Sequence, residues 1–356
     1  MDAQYMVRCI ELAKSGAGNV APNPMVGALL VYDNRIIGEG YHQQYGGPHA
    51  EVNCINSVSD EDYDLLNSST LYVSLEPCSH FGKTPPCTDL IIEKKIPKVV
   101  IGCSDSFKEV DGKGIEKLEK AGVEVLTGVL ENACTDLNKR FFTFHAQHRP
   151  YIILKWAQTN NAKIASMTTE RLLISNEYTN RLVHKWRSEE ASVLVGTNTA
   201  FLDDPGLTNR LWYGNNPVRL VVDMNLRLPS SLKIFNETAP TIVFNQYKHA
   251  MDGFIFLPRG KYEIKYYQVA ADASLVHQVL NACYRQNIQS ILVEGGATLL
   301  QSFIDEGLWD EARIITNETL KINRGLPAPE LTDFKIMRTE KIFSDRIDYY
   351  SNSAQL

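Results

Sequence analysis

The chain has 356 residues, 44% of them hydrophobic and 22% charged, which suits two domains with buried cores and excludes long disorder. Its formal net charge of −6 argues against sequence-independent binding to nucleic acid, which requires phosphates to be neutralised by Lys and Arg. No apolar run reaches the roughly 18 residues of a membrane span, and Asp2, Arg8, Glu11 and Lys14 break up any signal-peptide core.

The seven cysteines (Cys9, Cys54, Cys78, Cys87, Cys103, Cys134 and Cys283) are odd in number and irregularly spaced. With no export signal, that pattern reads as reduced thiols in a cytoplasmic protein. A small molecule, rather than nucleic acid or membrane, is the expected partner.

In chain order, residues 4–14 carry apolar side chains at helical spacing. Residues 26–32 and 36–41 read as strands around an Asp33-Asn34 turn. A helix is predicted at 50–58 behind Pro48, a buried strand at 70–75, and a helix at 88–95 stopped by Pro97. A strand at 98–102, a helix at 114–120 and a strand at 124–127 complete the series. Around 138–150 the pattern loosens into an aromatic and basic stretch, where the domain boundary is expected. A second series follows, with strands at 151–155, 192–195, 219–223, 241–245 and 290–294. Its helices are predicted at 176–189 and 298–306. Alternating strand and helix implies two α/β domains, each with a sheet covered by helices on both faces.

The sharpest chemical signal is Pro48-His49-Ala50-Glu51, followed by Glu76-Pro77-Cys78 and then Cys87. Zinc favours nitrogen and sulfur ligands, and a catalytic site keeps one of its four positions for water. His49, Cys78 and Cys87 provide three such ligands. Helix N-termini after Pro48 and near Pro77 are expected to supply the electropositive setting that thiolates need. Glu51, two residues past His49, is near the metal without binding it. It can take a proton from a water there and return it to a leaving amine. This is the zinc deaminase signature. One feature differs: eight residues, Ser-His-Phe-Gly-Lys-Thr-Pro-Pro, separate the cysteines instead of two.

Together with 21–27 (Ala-Pro-Asn-Pro-Met-Val-Gly) and 38–42 (Gly-Glu-Gly-Tyr-His), the stretch from Leu75 to Cys87 resembles the bifunctional riboflavin biosynthesis family RibD, whose cysteines are spaced in this way. The resemblance covers nearly the whole chain. It implies a cytidine-deaminase-like α/β/α domain over residues 1–145 and a dihydrofolate-reductase-like α/β domain over 149–356. The first would hold one Zn2+ and hydrolyse an amino group from a diaminopyrimidinone carrying a ribosylamino phosphate. The second would use NADPH to reduce ribosyl to ribityl, and a homodimer through this domain is expected. By position, Asn23, His42, His80 and Lys83 would contact the deaminase substrate. Asn23 can bond a carbonyl or amide edge, and His80 and Lys83 can donate to a phosphate.

In the second half, residues 290–300 (Ser-Ile-Leu-Val-Glu-Gly-Gly-Ala-Thr-Leu-Leu) read as strand, glycine turn and helix start, a place for a phosphate. The same family resemblance assigns Arg187, Leu207, Arg210 and Glu294 to the sugar-phosphate substrate. It assigns Ala157, Thr199, Asp203, Gly296, Ala297, Thr298 and Leu299 to NADPH. Arg187 and Arg210 suit a phosphate clamp. Four positions depart from the family pattern: Asn161, Ala162, Arg171 and Leu173, the last where an aromatic ring is usual. Asn161, Ala162 and Leu173 support an alternative, in which the chain is a deaminase only and its second half a degenerate reductase serving as an oligomerisation scaffold. A deaminase of bases in RNA would instead show the short Cys-x-x-Cys spacing and a basic surface.

Overall fold

The computed structural model describes residues 1–81, 85–104, 112–167, 172–251 and 262–355, which divide into two units, Met1–His148 and Arg149–Leu356. The first unit runs α1 (Asp2–Lys14), β1 (Gly27–Tyr32), β2 (Arg35–Tyr41), α2 (Ala50–Asn56), β3 (Thr70–Leu75) and α3 (Cys87–Glu93). It continues with β4 (Lys98–Cys103), α4 (Lys113–Lys120), β5 (Glu124–Leu126), α5 (Glu131–Leu137) and α6 (Lys139–Gln147). The strands form one sheet in the order β2-β1-β3-β4-β5, with β3, β4 and β5 parallel. Asp33 and Asn34 both take positive φ (45° and 63°), as a two-residue hairpin turn demands.

Successive strand residues point to opposite faces, so each strand feeds two cores. Leu30, Leu71, Val73, Val99 and Ile101 meet Cys54 and Ile55 of α2, Ile91 of α3 and Leu118 of α4. Leu29, Val31, Tyr72 and Val100 meet Met6, Cys9 and Ala13 of α1 and Cys134 and Leu137 of α5. On the first face α2 lies directly on the β2 backbone. A Cβ at Gly40 would sit 2.2 Å from the Cys54 amide nitrogen and 2.6 Å from the Ala50 carbonyl oxygen, so only glycine fits.

The expected loosening at 138–150 is not found. Helix α6 occupies most of it, with Phe142 packed against the first unit's core. Three aromatic rings in four residues hide the helical period, and packing outweighs their weak helix propensity.

The second unit runs β6 (Tyr151–Thr159), β7 (Lys163–Ser166), α7 (Glu177–Glu189), β8 (Ser192–Val195), α8 (Thr197–Asp203), β9 (Val218–Val222), β10 (Thr241–Asn245) and β11 (Ile264–Gln268). Then come α9 (Leu275–Arg285), β12 (Ser290–Gly295), α10 (Ala297–Asp305), β13 (Glu311–Asn317), β14 (Gly325–Pro327), β15 (Phe334–Ile342) and β16 (Asp345–Asn352). Nine strands form one sheet in the order β11-β10-β9-β8-β12-β6-β13-β16-β15. The late strand β12 inserts between β8 and β6, parallel to both. Helices α9 and α10 cover one face through Val279, Cys283, Leu300 and Phe303. Helix α7 covers the other through Val183 and Trp186.

The departure at Asn161 has a structural explanation. Its Oδ1 accepts from the Thr159 hydroxyl (2.8 Å), while its Nδ2 donates to the Ile322 carbonyl (2.8 Å). A carboxylate could accept the first bond but not donate the second. The neighbouring Ala162 holds φ 54°, a conformation that favours glycine.

Candidate active sites

The first unit gathers three metal-binding side chains. His49 is the residue before α2, Cys87 opens α3, and Cys78 lies in the loop after β3. His49 Nδ1 is 3.5 Å from Cys78 Sγ and 3.4 Å from Cys87 Sγ, and all three ligand atoms lie within 4.8 Å of one another. Tetrahedral zinc with ordinary Zn–N and Zn–S bonds would separate nitrogen and sulfur by about 3.6 Å. The donor set therefore fits zinc both in chemistry and in spacing.

Local bonds hold the loop. The amide and hydroxyl of Thr88 both donate to the Cys78 carbonyl at 3.2 Å, and the Cys87 amide points at Cys78 Sγ (3.4 Å). Buried Glu76 accepts from the amides of Gly112 (3.3 Å), Gly114 (2.9 Å) and Ile115 (3.3 Å) at the start of α4. Its role is positional, and the sequence signalled it only as part of the Glu-Pro-Cys motif. Among the described residues no helix begins near Pro77, where one was expected. The amide facing Cys78 comes from α3, behind Pro86.

The electrostatics favour a cation. The hydrogen bond with Cys87 draws the Cys78 thiol down to about 4, His49 assisting against burial, while the same contact and burial push Cys87 up. A metal ion would take both sulfurs as thiolates and release their protons. The contact with Cys78 also raises His49. Glu51 is only 3% exposed, and burial, then the Cys78 charge, push its carboxyl up to about 7. It is a proton-holding group beside the ligands.

Asn23 and His42 come together beside this centre. His42 Nδ1 donates to the Pro48 carbonyl (2.9 Å), leaving Nε2 to accept from Asn23 Nδ2 (3.1 Å). The His42 ring meets the His49 ring edge-on at 5.5 Å, and burial lowers its pKa, so it is neutral. His80 is exposed between the two cysteines, and Lys83 lies outside the described residues.

In the second unit a charged cluster forms at the end of β12. Glu294 takes a bidentate pair from Arg187 on α7 (2.6 and 2.8 Å), and Lys155 of β6 stands 3.6 Å away. Burial tends to raise the Glu294 carboxyl, but Arg187 and Lys155 outweigh it and hold it at about 2. The two arginines do not form a matched clamp as expected. Arg187 is occupied by Glu294 and by the Thr208 carbonyl (3.4 Å), while Arg210 is exposed and donates to Thr208 Oγ1 (2.8 Å). Leu207 is buried, at φ 49°. Lys155 was not among the expected site residues, because its 139-residue separation from Glu294 leaves no local pattern.

Residues assigned to the cofactor also cluster. Parallel strands β8 and β12 end side by side, and Gly196 and Gly296 cap the helices α8 and α10 that follow. The Gly196 amide donates to the Gly295 carbonyl (3.0 Å), and a Cβ on Gly296 would meet Thr199 Oγ1 at 3.1 Å. Ala297, Thr298 and Leu299 form the first turn of α10. Two helix N-termini at the carboxyl ends of parallel strands suit a dinucleotide phosphate. Ala157 lies on neighbouring β6, and Asp203 is exposed at the end of α8. Leu173 is 75% exposed, and Arg171 lies outside the described residues.

Comparison with known proteins extends these observations to both halves. The family described as the cytidine and deoxycytidylate deaminase zinc-binding region matches residues 1–103, and the RibD C-terminal domain matches 150–319. The riboflavin biosynthesis protein RibD of Aquifex aeolicus is 39% identical over 352 residues, covering 98% of this chain and 95% of its own. That of Escherichia coli is 32% identical, covering 87% and 86%. A Thermotoga maritima crystal structure, described as a diaminohydroxyphosphoribosylaminopyrimidine deaminase/5-amino-6-(5-phosphoribosylamino)uracil reductase, superposes with a TM-score of 0.88 at 36% identity, covering 99% and 98%. The chain belongs to the RibD family, the bifunctional deaminase–reductases of riboflavin biosynthesis.

Proposed function

We propose that residues 1–145 deaminate a diaminopyrimidinone bearing a ribosylamino phosphate and that residues 149–356 reduce its ribosyl group, with Zn2+ and NADPH as cofactors. The observation that carries the first half is the meeting of His49, Cys78 and Cys87 beside buried Glu51. A zinc ion held by those three side chains would act as a Lewis acid that makes water acidic near neutral pH. Glu51 takes the water's proton on its carboxylate and delivers it to the departing amino nitrogen, so that water enters and ammonia leaves. The Asn23 and His42 pair lines the pyrimidine side of the centre, and the exposed His80 supports a role at the phosphate.

In the second half, the Gly295-Gly296 turn, Thr199, Ala157, Asp203 and the first turn of α10 would hold NADPH, which when bound supplies a hydride. Arg210 presents its guanidinium to the phosphate, Leu207 shapes the adjoining turn, and Glu294 holds Arg187 and Lys155 in place. The RibD match spans this half as well, which supports two activities over deamination alone.

A homodimer through the second unit fits its edge strand β15, which exposes Phe334, Ile336 and Met337. Sedimentation of the purified chain tests it. Seven free thiols suit a cytoplasmic setting, and among the described residues no helix is long and apolar enough to cross a membrane. A coupled assay with metal analysis, following ammonia release and NADPH oxidation separately, tests the whole reading. Absence of zinc-dependent ammonia release would overturn the first half, and absence of NADPH oxidation the second.

A further inference from the structure

Helix α7 carries two side chains, three residues apart and so on one face, that both grip the segment 207–210. Arg187 Nη1 donates to the Thr208 carbonyl at 3.4 Å, and His184 Nδ1 accepts from the Arg210 amide at 3.0 Å. The histidine is 2% exposed, whereas Arg210 itself is exposed. An amide donor at Nδ1 requires a lone pair there, so the ring is neutral with its proton on Nε2. Burial, then Arg187 and Arg210, lower its pKa to about 4, which keeps that lone pair available at neutral pH.

We propose that His184 is a positioning residue of the reductase site, whose Nδ1 fixes the Arg210 main chain so that the guanidinium meets the phosphate of the substrate. This rests on the reading of Arg210 as a substrate residue given above. The geometry separates the two ends of Arg210. Thr208 Oγ1 orients the guanidinium (2.8 Å), and His184 anchors the backbone from which the side chain springs. Loss of the ring leaves the amide without its acceptor and lets the turn after Leu207 relax, displacing the cation.

The test compares His184→Ala, His184→Asn, His184→Gln and Arg210→Ala in the full chain, with 5-amino-6-(5-phosphoribosylamino)uracil as substrate. Asparagine puts its amide oxygen close to where Nδ1 lies, whereas glutamine reaches towards Nε2. His184→Ala is expected to raise the substrate KM about fivefold, the worth of one neutral hydrogen bond, with kcat and the NADPH KM within twofold. Inorganic phosphate should weaken as a competitive inhibitor in parallel. His184→Asn should restore KM, His184→Gln should not, and adding His184→Ala to Arg210→Ala should do no further harm. An unchanged KM in His184→Ala, equal rescue by Asn and Gln, or additive losses in the double variant would each overturn the proposal. If Arg210→Ala leaves KM unchanged, the reading of the substrate site fails instead. Should His184→Ala not fold, the contrast between Asn and Gln carries the test.

Discussion

Replacing Glu294 by glutamine keeps the shape of the side chain and removes its charge, leaving Arg187 and Lys155 to face each other in a buried site. Glu294 is 7% exposed in its side chain, and its pKa moves from 4.5 to about 2. A shift of that size is worth roughly 3 kcal/mol. Because the folded value is depressed, this stabilisation is complete above the unfolded pKa and is lost as pH falls through about 2. Breaking a buried ion pair from one side costs about 3–5 kcal/mol by itself, consistent with the same figure. For a unit of this size, each kcal/mol moves Tm by about 2–4 °C, so Glu294→Gln should lower it by about 10 °C. All four tryptophans (Trp156, Trp186, Trp212 and Trp309) belong to the second unit, so their fluorescence follows its melting selectively. Burial already lowers Lys155, and without its carboxylate the amine loses its proton more readily in the fold than in the open chain. Stability of the variant should therefore climb as pH rises towards about 10, where an unfolded lysine titrates. A loss below about 1 kcal/mol, or no gain with alkaline pH, would refute the assignment of Glu294 as the counterion of both cations.

Glu51→Gln is expected to retain zinc by elemental analysis while ammonia release falls at least about a hundredfold, since the proton carrier is gone and the ligands remain; activity within tenfold of wild type would remove Glu51 from that role. Chelating the metal, or Cys78→Ser, should abolish ammonia release and spare NADPH oxidation, measured on the deaminated substrate. Ala162→Gly should stabilise the second unit by about 0.5–1 kcal/mol in urea titrations, because the native φ of 54° strains alanine.

Local pattern is enough to place much of this molecule. The strand Thr70–Leu75 and the hairpin around Asp33-Asn34 follow from apolar alternation and turn chemistry, and the three metal ligands follow from residue type and spacing. What escaped depends on distant partners. Arg187 reads as half of a phosphate clamp until Glu294, 107 residues on, is seen to hold it. Asn161 looks like a bare departure from the family pattern until the Ile322 carbonyl shows why an amide serves there. Strand β15 is mostly exposed on both faces, so burial writes no alternation into it.

The fit of α2 against Gly40 has a consequence for how such a centre can change. Main-chain atoms touch there with no side chain between them, so the height of His49 and Glu51 above the sheet cannot be tuned by exchanging core residues. The half of the centre borne on that helix is rigidly inherited. Variation in reach or charge falls instead to side chains off that helix, such as the exposed His80, which can alter without moving the ground on which the acid stands.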